Sequence, residues 1–343
     1  MKNTIITIDL AKSVFELAVA NAHYRITQRK RLDLAGFTEF MHQQEPATVV
    51  MEACGTAHHW GRQFRDAGHE VVLLPAQYVR PYRRRNKTDR ADCEALLEAF
   101  RCDGLKPVAL KSLEQQELQH MHRLREQWKQ TRQKRMNFLR GVFREQGIPL
   151  PLGDAEALRE ANTHVETLSS LTLHLLQPLL DELKGLEESM HTLEQQIVQA
   201  TRHNEAVACL QTIPGIGLIT STALVAAIGK PEQFKSGRQL ACWLGITPRE
   251  SSSGNRRHLG SITKKGNVYL RTLLVHGARS ALVSAKRLAK AGKLPSRLQQ
   301  WAIQLEQRVG HNKATVALAN KLARIVWACW KSGTPYQPGH CPA

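Results

Sequence analysis

Four carboxylates stand out by type and placement. Asp9 closes the first apolar run, TIITIDL (residues 4–10), and Glu52 closes another, TVVME (48–52). Both runs have strand character, and neighbouring strands of one sheet would bring the two acids out at the same edge. Asp89 and Asp92 lie three residues apart at the start of an expected helix over about 88–101, hence on one face of it. Four carboxylates converging on one place repel one another. Bound divalent cations relieve that repulsion, and oxygen donors of this kind suit Mg2+, or Mn2+ in its place. Two such ions stabilise both the attacking and the leaving oxygen of a phosphodiester. Each acid also has a structural reading: an Asp ending a strand serves as a turn residue, and Asp89 is well placed near a helix N-terminus. The stretch RPYRRRNKTDR (80–90) holds six Lys/Arg beside the second pair, and its Arg83, Arg84, Arg85 and Lys87 are candidates for nucleic-acid contact.

A second reactive stretch, GITPRESSSGNRRHLGSITKKGNVYLR (245–271), combines three consecutive serines and a glycine with Arg249, Arg256, Arg257, Lys264, Lys265 and Arg271. Cations here would hold a phosphate and ease attack by an alkoxide. No His/Asp relay is legible from spacing, so the serines by themselves are an ordinary polar loop. Upstream, LQTIPGIGLITSTALVAAIG (210–229) places I-P-G-I-G between two short helices, the pattern of a helix-hairpin-helix. Gly215 and Gly217 would there leave backbone N–H groups open to a DNA phosphate. The competing reading is a tight helical corner that needs glycine only for close packing.

The elements that must position these groups follow from hydrophobic patterning. Runs at 4–10, 14–20 and 24–32 suggest a meander of three strands. A helix over 35–44, a strand at 48–52, a helix over 57–67 and a strand at 70–74 come next. Three hairpin-linked strands followed by α-β-α-β is the element order of the ribonuclease-H-like fold. From about 112 to 146 the chain is polar and helical; GIPLPLGD (147–154) breaks it, and a second helical stretch covers about 155–200 with leucines at three-to-four spacing. Two long helices joined by a proline turn resemble an antiparallel coiled coil. The remainder is read as a helical domain with helices at 218–228, 268–290 and 314–331, a Gly/Pro-punctuated segment at 229–266, and a loosely held tail at 333–343. The expected domains are 1–110, 111–200, 201–332 and that tail.

Charge separates the parts. The 343 residues carry a net charge of +18. Residues 1–234 are balanced, with 29 Lys/Arg against 28 Asp/Glu, whereas residues 235–343 hold 19 Lys/Arg against only Glu250 and Glu306. A third of the chain almost without acids describes a surface for polyanions. The absence of an eighteen-residue apolar run argues against a membrane span. Seven scattered cysteines without a C-x-x-C pair argue against a disulfide scaffold or structural zinc, and fit a reducing cytoplasm. No Walker A pattern is present.

The blocks I-D-L-A-K-S, V-V-M-E-A-C-G-T, K-T-D-R-A-D, I-P-G-I-G, L-G-I-T-P-R-E-S-S-S-G and I-T-K-K-G-N-V-Y-L-R resemble the signatures of the DEDD transposases of bacterial insertion sequences, the recombinases guided by an element-encoded bridge (seeker) RNA. The resemblance runs from Met1 to about residue 331. It implies a RuvC-like first domain whose acidic tetrad falls on Asp9, Glu52, Asp89 and Asp92. It also implies a serine nucleophile just before a glycine, here Ser253, with Ser251 and Ser252 adjacent. Further implications are Mg2+ on the tetrad, a covalent phosphoserine intermediate with DNA, a guide non-coding RNA, and assembly into a dimer or tetramer in the bacterial cytoplasm. In that assembly one subunit's acids meet another's serine. DNA of the element ends and of the target would be the substrate. The alternatives are a metal-dependent, structure-selective RuvC-like endonuclease that needs only the tetrad, a non-catalytic nucleic-acid-binding protein, and a sugar-kinase-like ATPase. The last is disfavoured because the turn D-L-A-K-S lacks a phosphate-approaching glycine.

Overall fold

The computed structural model describes residues 4–83, 89–164, 167–254 and 256–339; for Asp89 only the backbone is described. The expected contacts at Arg84, Arg85 and Lys87 therefore lie outside the described residues. The chain divides into two compact units, residues 1–113 and 114–343.

The first unit is a five-stranded mixed sheet with helices on its faces. Strands β1 (Ile5–Leu10), β2 (Phe15–Ala20) and β3 (Ile26–Leu32) form an antiparallel meander. After α1 (Leu34–His42), β4 (Thr48–Glu52) adds parallel to β1; after α2 (Ala57–Asp66), β5 (Glu70–Leu74) adds parallel to β4. The sheet order is β3-β2-β1-β4-β5, consistent with a ribonuclease-H-like domain. Alternation along the strands serves two cores. Ile6, Ile8, Val49 and Met51 pack with Phe37 of α1 and Phe64 of α2. Ile5 and Val50 face the other way, onto Ala95, Leu96 and Ala99 of α4 (Asp89–Arg101), the last helix of this unit after the short α3 (Ala76–Val79).

The second unit opens with α5 (Leu113–Glu145), α6 (Asp154–Thr163) and α7 (Ser170–Thr201). The stretch expected as one helix over 155–200 is thus two. Ser169 caps α7 by accepting from the Thr172 N–H. Long helices α5 and α7 run antiparallel, as three ion pairs demonstrate: Arg125–Glu194 at 2.7 Å, Arg132–Glu187 at 2.7 Å and Arg135–Glu182 at 2.6 Å, in which the partner number falls as the arginine number rises. Met136, Leu139 and Phe143 meet Leu176, Leu179 and Leu183 at the far end. There Asp154 accepts from both Arg132 and Arg140. Burial alone would raise its carboxyl, but the two guanidiniums hold it below the ordinary carboxylate range.

The rest of the unit packs around one helical core. It comprises α8 (Glu205–Gln211), α9 (Leu218–Ile228), α10 (Gly237–Trp243), strands β6 (Pro248–Glu250) and β7 (Leu259–Ile262), α11 (Val268–Lys290), α12 (Arg297–Val309) and α13 (His311–Ser332). Sequence patterning left α10 and α12 unassigned. Gly310 separates α12 from α13 at φ 82°, a value that favours glycine. The tail is not wholly loose: the Tyr336 N–H donates to Thr212 Oγ1 at 2.8 Å, and Cys209 Sγ donates to the Thr334 carbonyl.

The long hairpin is rooted on this core by a buried polar network. His122 of α5 is 3% exposed, with Nε2 at 3.0 Å from Thr222 Oγ1 and Nδ1 at 3.1 Å from Tyr269 Oη. Thr222 already donates to the Leu218 carbonyl. His122 therefore carries its proton on Nε2 and accepts from Tyr269 on Nδ1. Burial pushes the His122 imidazole down to about 4 and the Tyr269 hydroxyl up to about 12. The sign follows from linkage. Between about pH 6.5 and 4 the unfolded chain binds the proton that the folded chain refuses, so stability falls as the pH drops through that window. The full loss is about 3 kcal/mol. His122→Gln, which cannot titrate, should flatten this part of the pH dependence of Tm; an unaltered slope would place the titration elsewhere.

Candidate active site and nucleic-acid interface

In the first unit, strand register does the initial positioning. Parallel pairing aligns Ile8 with Met51, so the next residues, Asp9 and Glu52, end adjacent strands at the same edge. They share the sheet face of Ile5 and Val50, the face that α4 covers. Helix α4 is fastened over it at two points. Cys93 Sγ donates to the Glu16 carbonyl at 3.2 Å, and Glu16 is the cross-strand partner of Asp9. Glu94 pairs with Arg29 of β3 at 2.5 Å. Burial pushes the Cys93 thiol up to about 12, so it is protonated packing rather than a nucleophile. One residue earlier, Asp92 is 7% exposed.

A guanidinium joins two of the acids. Arg83 Nη2 lies 2.8 Å from Glu52 Oε2, and Arg83 Nε lies 2.9 Å from Asp92 Oδ1. The second contact is a charge pair without hydrogen-bond alignment, since Nε and Oδ1 are both buried with no geometric hydrogen bond. Arg83, expected on a nucleic-acid surface, is thus turned onto the acids. Among the described residues no group of three or more Asp, Glu, His or Cys closes around a metal-sized point. The structure brings Glu52 and Asp92 to one cation and Asp9 to the same sheet edge; the Asp89 side chain lies outside the described residues. The donor set fits a hard divalent ion: carboxylate oxygens already gathered at a positive charge, one of them a buried oxygen with spare acceptor capacity.

In the second unit, the serine stretch expected as a loop is a two-stranded ribbon. The Lys264 N–H donates to Gly245 O at 3.0 Å and Thr263 to Thr247 at 2.9 Å. Further out, Ser251 donates to His258 at 3.0 Å, and the pair Ser253/Arg256 closes the tip. Gly254, at φ 55°, makes that turn. The ribbon base is locked by backbone contact. A Cβ on Gly245 would strike the Lys265 carbonyl, and one on Gly266 the Trp243 carbonyl. Both residues have positive φ. The blocks L-G-I-T and T-K-K-G-N are therefore two sides of one joint. All three serines are exposed. Ser252 Oγ donates to Glu250 Oε1 at 2.9 Å and accepts from the His258 N–H at 3.2 Å. Among the described residues no partner holds the Ser253 hydroxyl.

The basic residues divide by what they touch. Arg256, Lys264 and Lys265 are exposed. Arg257 reaches Glu250 at 3.1 Å, and Arg249 donates to Ser261 Oγ. Arg271 donates to the Leu244 carbonyl at 3.1 Å, so it braces α10. The only acids of the basic third are both neutralised in place. Hydrogen bonds from Ser252 and Arg257 hold the Glu250 carboxyl below its ordinary range. Glu306 is likewise held low, by His311 at 2.8 Å and Lys286 at 3.0 Å. The positive surface is left unopposed.

Between α8 and α9 the two glycines of the turn have different surroundings. Gly215 has φ 87° and its would-be Cβ runs into the Gly277 carbonyl of α11, so it is a packing glycine. Gly217 is exposed with open space around it, at the N-terminus of α9.

Comparison with known proteins agrees with both units. Residues 6–147 match the DEDD IS110 transposase model, and residues 207–293 match the model described as "Transposase IS116/IS110/IS902 family". A probable family 20 transposase of Pseudomonas aeruginosa is 40% identical, over 97% of this chain and 98% of its own. The transposase for insertion sequence element IS1111A of Coxiella burnetii is 34% identical over 98% and 92%. The chain belongs to the IS110/IS116/IS902 transposase family. A pilin gene-inverting protein of Moraxella bovis is also similar, at 25% identity over 98% of both chains. As a transposase of this family the protein is an enzyme of DNA recombination acting on DNA. No described helix is long and apolar enough to cross a membrane.

Two outcomes test these contacts without an activity assay. Arg83→Ala should lower Tm in the absence of divalent ions, since it strands a buried carboxylate at a cost of about 1–3 kcal/mol. Added Mg2+ should then stabilise the variant more than the wild type; an equal response would separate the acids from metal binding. Gly215→Ala should cost about 1–3 kcal/mol through its φ and the Gly277 contact, whereas Gly217→Ala should leave Tm within a degree or two. A stable Gly215→Ala variant would refute the packing role.

Proposed function

We propose that this transposase cuts and rejoins DNA through Ser253, assisted by divalent metal on Asp9, Glu52, Asp89 and Asp92, with target choice delegated to a guide RNA. The observation that carries the serine assignment is the ribbon itself. It presents an exposed hydroxyl at a glycine turn, free of a described partner, while the neighbouring Ser252 is tied to Glu250 and His258. Glu250 is a poor base for Ser252, because hydrogen bonds from Ser252 itself and from Arg257 hold its carboxyl low.

In the reaction, Ser253 Oγ loses its proton and forms a P–O bond to the scissile phosphate. The bond from phosphorus to the leaving sugar oxygen breaks, and that oxygen takes up a proton. The serine ester keeps the bond energy, so an incoming strand hydroxyl reverses the step and releases Ser253 without ATP. A serine hydroxyl is a weak nucleophile at neutral pH and needs help. Asp9, Glu52, Asp89 and Asp92 would hold a divalent metal whose chemistry, when bound, would be to polarise the phosphate. Arg83 then acts as a cation that keeps Glu52 and Asp92 gathered.

The unopposed positive charge after residue 234 suits contact with phosphate backbones, and therefore a guide RNA read through its A-form shape, with base pairing supplying sequence. Gly217, at an open helix N-terminus, is the candidate for a backbone phosphate contact. The antiparallel hairpin α5/α7 serves as the arm that assembles a dimer or tetramer in the cytoplasm, where one subunit's acids meet the serine of another.

The test is a denaturing gel for a protein–DNA adduct, run with Mg2+ and the transcript of the non-coding DNA beside the gene. The wild type and Ser252→Ala should form the adduct and Ser253→Ala should not. Normal cutting by Ser253→Ala, with no adduct from any variant, would instead establish the metal-only endonuclease. Reversing charge with Lys264→Glu and Lys265→Glu should weaken nucleic-acid binding and make its salt dependence shallower, by about one unit of log–log slope per lost phosphate contact. An unchanged slope would show that these lysines face solvent.

A further inference from the structure

Beside the base of the serine ribbon lies a cavity of about 920 Å3, bounded by the ribbon on one side and by α12 and α13 on the other. It is within the size range of sites that take small molecules. Its walls are apolar, made by Ile246, Ile262, Trp301 and Val316. Its rim carries Lys313, Lys321 and Arg324, and none of its lining residues is acidic. Lys321 Nζ is held 4.4 Å from the Trp301 ring centroid, so one cation is already placed over the aromatic wall. Asn320 is fixed by donating through Nδ2 to the Ile246 carbonyl at 3.1 Å, a bond that leaves its own carbonyl oxygen unused.

Apolar walls with an aromatic, cations without counter-carboxylates, and a fixed amide together complement a flat apolar body joined to an anion. A nucleotide has that composition: its base buries against the walls and its phosphate meets the cations. The location adds to the argument. Pro248 also lines the cavity and is five residues from Ser253 on the same ribbon. That separation is roughly 17 Å along a strand. A nucleic-acid strand at the tip can therefore reach the cavity with a nucleotide only a few positions away. An acidic peptide would satisfy the cations equally well, but would not by itself lie next to a serine that attacks phosphate.

We propose that this cavity takes one unstacked nucleotide of the strand engaged by the ribbon, its base against Trp301 and Val316 and its phosphate among Lys313, Lys321 and Arg324. The pocket would fix the register of the strand on the ribbon at a set offset from the scissile phosphate. This rests on the reading of the ribbon as a nucleic-acid-processing element.

The experiment compares binding of two fluorescent single strands to the full-length protein by anisotropy at several salt concentrations: a short oligothymidylate, and an abasic strand of equal length. The wild type should bind the oligothymidylate about fivefold or more tightly than the abasic strand, the lower end of what one stacked base contributes. Ala317→Leu and Ala317→Met each crowd the apolar wall of the cavity without touching its charge or adding an aromatic face. Either should remove the base-dependent gain while leaving abasic binding and its salt slope unchanged. Equal wild-type binding of the two strands, or a full base-dependent gain in a folded filled variant, overturns the proposal. A filled variant that instead changes oligomeric state with strand binding intact assigns the cavity to a protein partner and equally overturns it. Loss of salt-dependent binding to both strands in the wild type would point to failure of the underlying functional reading, so the two failures are distinguishable.

Discussion

Mutual repulsion of carboxylates is the constraint around which the first unit is built. Asp9 and Glu52 sit at the same edge because β1 and β4 are parallel and in register, and the sheet has no freedom to move them apart. Helix α4 then brings the buried Asp92 to the same face. Positive charge among its members stabilises such a cluster. Arg83, bridging Glu52 and Asp92, supplies that charge within the chain. The carboxylate oxygens that meet Arg83 are also of the kind that suits a divalent cation.

The second unit solves the opposite problem, exposing a hydroxyl and positive charge on a rigid support. Its ribbon is short and solvent-facing, and a two-stranded ribbon alone has marginal stability. What holds it is the joint at its base, where Gly245 and Gly266 allow backbones to touch and Asn320 of α13 ties into Ile246. The two acids of this region are paired with local cations, so they hold structure without cancelling the field that phosphates would meet. The His122–Thr222–Tyr269 network does comparable work at the root of α5, joining the long hairpin to the helices that carry the ribbon. Tyr269 lies two residues after Asn267, the cap of α11, so the hairpin is tethered close to the K-K-G-N joint.

Family membership and geometry contribute different things. Matches across both units identify a DNA transposase. The geometry adds which serine is unencumbered, which arginine attends the acids, and where the basic third keeps an apolar cavity. These features belong to separate compact units, each with its own core.

Much was legible in the residues alone. Strand alternation, the acid closing each of two strands, the spacing of Asp89 and Asp92, and the charge contrast after residue 234 are properties of local sequence. They determined the mixed sheet, the candidate acids and the basic character of the last third of the chain. Long-range contact decided the rest. Arg83 is one of six cations in its segment, and nothing in RPYRRRNKTDR marks it as the partner of Glu52, because that pairing depends on the path of the chain after β5. Gly215 and Gly217 look alike in I-P-G-I-G; only the approach of Gly277 makes the first a packing residue. The serine ribbon passed for a loop because its strands are exposed on both faces and lack apolar alternation, so no periodic signal betrays them. Periodicity reports burial on one face of an element, and positions whose role is set by a distant backbone or a single charge leave no such trace.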